Sequence, residues 1–159
     1  MESKTNVMRI LDARHVPYKS YSYVGTGATT GAEVAAMLSQ NPAQVFKTLV
    51  TIARSGHNYV FMIPVCAELD LKRAAIAVGE KSIDMLKSRD LLGLTGYVHG
   101  GCSPVGMKKQ FKTVIDASAQ NFDTIIFSAG RIGYQVQVSL SDLLKIIPFS
   151  FYDICVQQN

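Results

Sequence analysis

The stretch "VFKTLVTIARSGHNYVFMIPV", Val45 to Val65, commits the chain to a sheet. Two apolar runs rich in β-branched residues flank "SGHN", and that combination predicts a β-hairpin. The other segments must supply what packs on it.

Val7, Ile10 and Leu11 form a helical stripe that Pro17 stops. "YKSYSYV" predicts a strand running into the turn-rich "GTGATTG". Thr30 with Glu33 has the form of a capping box for the helix "AEVAAMLSQ". Asn41 before Pro42 predicts a second N-cap, since proline's missing N–H is not needed at a first helical position. "LDLKRAAIAVG" predicts a helix capped by Asp70 and stopped by Gly79, and "SRDLLGLTG" a shorter one. "KTVIDAS", "TIIFSAG" and "RIGYQVQVSL" predict strands, and "SDLLKII" a closing helix with Ser141 near its start. Hairpins interleaved with helices predict an α+β domain around a mixed sheet, not a regular βαβ array.

With 159 residues, 48% of them apolar and 18% charged, the chain suits one compact domain over 1–159. Its net charge of +4 is compatible with a polyanionic partner but does not identify one. Cys66, Cys102 and Cys155 sit far apart, which argues for reduced thiols. "MESKTNVMRILDARHV" lacks the apolar run of a signal peptide, and no stretch approaches the ~18 apolar residues of a membrane span. The expected compartment is the cytoplasm, with no membrane partner.

The densest cluster of reactive residue types is "GYVHGGCSPVGMKK", Gly96 to Lys109. His15, His57 and His99 fall on separate elements without metal-ligand spacing, so no metal is expected. His99 and Cys102 are close in sequence, yet a thiolate hydrolase needs a base in contact and a third group, and none is identifiable. No Walker A loop occurs, and Gly100, Gly101 and Gly106 do not fit G-x-G-x-x-G. Two readings of Gly100–Gly101 stay open: a strained turn, or backbone N–H groups presented to an oxyanion. Lys47, at the start of "FKTLVTI", either snorkels to solvent or holds its charge at a pocket mouth.

"NPAQVFKTLV", "AELDLKRAA", "TGYVHGGCSPVGMKK" and "TVIDASAQNFDTIIFSAG" occur in the order found in the YbaK family. These are free-standing relatives of the editing domain of bacterial prolyl-tRNA synthetases, and the resemblance covers nearly the whole chain. It implies a mixed, mostly antiparallel sheet or partial barrel surrounded by helices. It also implies a hydrolase without cofactor that cleaves mischarged aminoacyl-tRNA and so protects translation fidelity. The "TGY-x-x-GG-x-SP-x-G-x-KK" block resembles the Cys-tRNA(Pro) deacylase branch. Carried over by position, the resemblance implies a catalytic Lys47, Gly100 and Gly101 holding the ester carbonyl, and Ser128 in the pocket. Thr30 stands where relatives often have an aromatic residue, and Gln135 where they tend to carry aspartate.

Relatives have an aliphatic residue at Cys102, so the resemblance implies that the reactive thiol is the substrate's own. Such proximity accounts for about 7–11 kcal/mol of barrier lowering without a protein nucleophile. Lys108, Lys109 and Lys112 then gain a role against acceptor-stem phosphates, with a solvated turn as the alternative. Prolyl-tRNA synthetase is a second expected partner, delivering the substrate to a modestly basic surface. Two rivals stay open, a deacylase for another small amino acid and a non-catalytic binder of aminoacyl-tRNA or synthetase.

Overall fold

The computed structural model describes residues 4–157. It holds five α-helices: α1 (Asn6–Ala13), α2 (Gly31–Met37), α3 (Leu71–Val78), α4 (Ser88–Thr95) and α5 (Leu140–Leu143). The strands are β1 (Lys19–Ser22), β2 (Phe46–Ala53), β3 (Asn58–Pro64), β4 (Ile83–Met85), β5 (Lys112–Asp116), β6 (Thr124–Ser128), β7 (Tyr134–Ser139) and β8 (Ser150–Tyr152). Among these residues no helix is long and apolar enough to cross a membrane.

Most of the expected caps form. The Asp70 carboxylate accepts from the N–H groups of Lys72 and Arg73 at 3.0 and 3.1 Å, and Gly79 ends α3 at φ 73°. Thr30 accepts from Glu33 N–H at 3.1 Å, but Glu33 returns its bond to Thr29 N–H, one residue earlier than a capping box requires. Asn41 caps Pro42–Gln44 as expected, though the element is a 3₁₀ turn, and Ser139 caps α5, a single turn with Ser141 near its start. The strands β4 and β8 have no counterpart in the sequence reading. Each is three residues long, too short for alternation to register.

The strands form two sheets, β1-β7-β6 and β4-β2-β3-β5-β8, where one mixed sheet is expected. The first is antiparallel; in the second, β3–β5 and β5–β8 run parallel. A parallel bridge from Val45 to Ile126 joins them, so β6 lies beside the start of β2. The hairpin β2–β3 is buried on both faces. Val60 and Met62 enter a large core with Phe46, Val50, Ile115 and Phe127. Phe61 and Ile63 enter a second core with Ala74, Ala75 and Ile154. That is why its runs are continuously apolar instead of alternating.

Candidate functional site

The first half of β2 has an open edge. Val65 N–H donates to Val45 C=O and Ala53 N–H to His57 C=O, both at 2.8 Å, so odd-numbered β2 residues bond toward β3. Leu86 N–H donates to Val50 C=O at 3.1 Å, on the opposite side. Since β4 pairs only with Thr51–Ala53, the backbone groups of Thr48 face a gap between β4 and β6. The Thr48 hydroxyl is buried and has no partner among the described residues.

A cleft of about 650 Å³ fills this gap. Its walls are the start of α2, Phe46–Val50, the β4–α4 segment, the loop at His99–Cys102, and the adjoining ends of β6 and β7. Register assembles its polar side. Val45 is bridged to Ile126; extended by two residues, that register sets Lys47 level with Ser128, and both line the cleft. Ser128 is the direct partner of Gln135 on β7. Lys47, Ser128 and Gln135 therefore lie in a row across three strands, on the face that Ala35 of α2 covers through Val45 and Ile126.

Within the row, Lys47 is half-buried and makes no hydrogen bond or ion pair among the described residues. Its charge reaches the Cys155 thiol, where it opposes the burial that raises that thiol to about 12. Ser128 Oγ accepts from Gly130 N–H at 3.1 Å and keeps its own proton to donate. Thr30 stands at the rim, its hydroxyl engaged in capping α2. Gly100 lines the cleft at φ 88°. Gly101 does not line it. It is buried, and its N–H donates to Val98 C=O at 3.0 Å. At this loop the backbone N–H groups of His99, Gly100 and Cys102 have no hydrogen-bond partner among the described residues.

The family model for the aminoacyl-tRNA editing domain matches residues 26–146, which include every residue of this cleft except Tyr23. The chain belongs to the aminoacyl-tRNA editing domain family. A relative from Enterococcus faecalis (strain ATCC 700802 / V583), named by inference as Cys-tRNA(Pro)/Cys-tRNA(Cys) deacylase EbsC, is 40% identical over 158 residues. The match covers 99% of this chain and 96% of that one. Two crystal structures share the fold at 22% identity. One, described by inference as a trans-editing enzyme for prolyl tRNA synthetase, has a TM-score of 0.82 and covers 98% of this chain and 100% of its own. The other, hypothetical protein APE2540, has a TM-score of 0.84 over 94% and 99%.

The cysteine at this cleft is Cys102. It lines the cleft at 7% exposure, and burial pushes its thiol up to about 12, so the thiolate is scarce at neutral pH. His99 is exposed and makes no hydrogen bond to it. The three lysines stand away from the cleft. Lys108 donates to Gly93 C=O at 3.4 Å near the end of α4, Lys109 lies 6.0 Å from the Phe111 ring, and Lys112 is exposed at the start of β5. No metal-holding group of three His, Cys, Asp or Glu side chains occurs among the described residues. Sequence reading missed Thr48, Tyr134 and Tyr23 in the lining. Thr48 is adjacent to Lys47, but only the open edge of β2 makes it notable.

Proposed function

We propose that this editing domain deacylates mischarged aminoacyl-tRNA in trans, with Cys-tRNA(Pro) as its substrate. The observation that carries the reading is the row Lys47–Ser128–Gln135 sharing one cleft with a glycine loop whose N–H groups at Gly100 and Cys102 are unpaired among the described residues, and with a buried, protonated cysteine. Such a site positions and polarises an ester but brings no activated nucleophile. The substrate's thiol fills that role. Its sulfur bonds to the ester carbonyl carbon while the bond from that carbon to the ribose 3′ oxygen breaks. The thiol proton passes to that oxygen, and water opens the resulting thiolactone to free cysteine. The N–H groups of Gly100 and Cys102 support the carbonyl as it gains negative charge. Lys47 favours the thiolate form through its charge. Lys108, Lys109 and Lys112 meet phosphates of the acceptor stem, and prolyl-tRNA synthetase delivers a substrate that a net charge of +4 attracts only modestly.

A panel of charged tRNAs, with and without the synthetase, tests this. Cys-tRNA(Pro) is expected to be cleaved at least 100-fold faster than Ser-tRNA, whose hydroxyl is the poorer nucleophile. Lys47→Ala is expected to abolish turnover at an unchanged thermal midpoint. Equal rates on the two esters, or a folded Lys47→Ala with normal activity, would remove the mechanism.

A further inference from the structure

Gln40 lies outside the cleft, in the turn after α2, yet its side chain reaches a residue inside it. Its Nε2 donates to Gln135 Oε1 at 2.9 Å. Gln135 is 7% exposed and lines the cleft from β7. With its oxygen engaged, its Nε2 has no partner among the described residues, and it is not one of the buried unpaired atoms. That NH₂ therefore opens on the cleft.

The two amides have an alternative arrangement, with both turned over. Gln135 would then donate to Gln40 and present its oxygen to the cleft. The Gln40 NH₂ would then take the buried place that its Oε1 has now, to which no donor is offered. The arrangement present has Gln40 as the donor, at 2.9 Å.

The consequence concerns charge. Lys47 stands in the same row as a cation, and no Asp or Glu lines the cleft among the described residues. Donors of this kind meet the lone pairs of acyl oxygen or sulfur. They have nothing to offer a substrate's α-ammonium group, which Lys47 repels and which meets only uncharged acceptors such as the Thr48 carbonyl.

We propose that Gln40 is a positioning residue that holds Gln135 as a hydrogen-bond donor toward the acyl group, so that the site recognises oxygen and sulfur but not the α-ammonium. The substrate class widens accordingly to N-acylated cysteinyl esters of tRNA. This rests on the deacylase reading above.

The experiment compares kcat/KM for Cys-tRNA(Pro) and N-acetyl-Cys-tRNA(Pro) in the wild type, in Gln40→Glu and in Gln135→Glu, with thermal midpoints alongside. Gln40→Glu demands a donor from Gln135 and so turns its oxygen to the cleft; Gln135→Glu places an acceptor there directly. The wild type is expected to cleave the two esters within about threefold of each other. In both variants the ratio of acetylated to free substrate is expected to fall at least tenfold. A merely structural role for Gln40 would slow both esters equally and leave that ratio unchanged, which would overturn the proposal. So would a wild type that cleaves the free ester more than 100-fold faster. A wild type inactive on both esters would instead sink the deacylase reading itself. Should Gln40→Glu fail to fold, the Gln135→Glu ratio decides.

Discussion

Gly100 and Gly101 are neighbours with different duties. Gly100 holds φ 88°, where a side chain is strained by about 1–2 kcal/mol, and its N–H has no partner among the described residues. Gly101 has no such φ. A Cβ there would sit 3.2 Å from Ile132 N and 3.5 Å from the Arg131 backbone, so its glycine is needed for the close approach of the turn at 130–133. Gly101→Ala is therefore expected to lower the thermal midpoint, since crowding against backbone costs about 1–3 kcal/mol. Its single-turnover rate should stay within tenfold of wild type. Gly100→Ala is expected to lose about 10²–10³ in rate, because a donor toward the oxyanion is displaced. A Gly101→Ala protein of normal stability with a collapsed rate would return Gly101 to the ester. Neither duty is legible in the letters "GG", because the difference lies in a turn some thirty residues away whose backbone closes on only one of them.

At the level of elements, the hairpin, α3 and most caps were legible because each is set by local chemistry within a few residues. The short strands β4 and β8 and the split into two sheets were not, since pairing partners far along the chain define them. The open edge of β2, and with it the cleft, follows from where β4 stops. The hairpin tip carries a further device invisible in "SGHN". Glu80, just after α3, accepts hydrogen bonds from Tyr59 and from Ser55, the latter at 2.9 Å, with His57 Nδ1 3.6 Å away. The Tyr59 hydroxyl, then Ser55, and to a lesser degree His57 hold the Glu80 carboxyl below its ordinary range. A carboxyl depressed in the folded state adds stability above its unfolded pKa and loses it as pH falls through the folded one. The wild type should thus lose thermal midpoint more steeply than Glu80→Gln below about pH 4.5, where an unfolded glutamate begins to bind protons. Midpoints measured from pH 6 to pH 3 test this, and parallel curves would show that the cluster carries no linked proton.

Across the whole molecule, the cleft proposed for ester chemistry and the lysines proposed to meet tRNA occupy different places. The cleft holds about 650 Å³, and Lys47 is the one lysine, arginine, aspartate or glutamate that lines it among the described residues. Lys108, Lys109 and Lys112 lie beyond α4 and at the start of β5, outside the cleft lining. Lys108 is tied to the end of that helix through Gly93, so its charge sits at the negative pole of the α4 dipole and is stabilised there. This separation allows affinity and chemistry to be varied independently. Each lysine that meets a phosphate releases about one counterion and adds about 0.9 to the slope of log affinity against log salt. Replacing all three by alanine is expected to flatten that slope by between two and three, while the rate at saturating enzyme stays within threefold of wild type. The check is a salt titration of tRNA binding by the triple variant, paired with single-turnover hydrolysis. An unchanged slope would make the three lysines a solvated turn. A lost rate with an unchanged slope would mean that they act on the cleft and not on the phosphates, because charges that only gather tRNA cannot alter the step that follows binding.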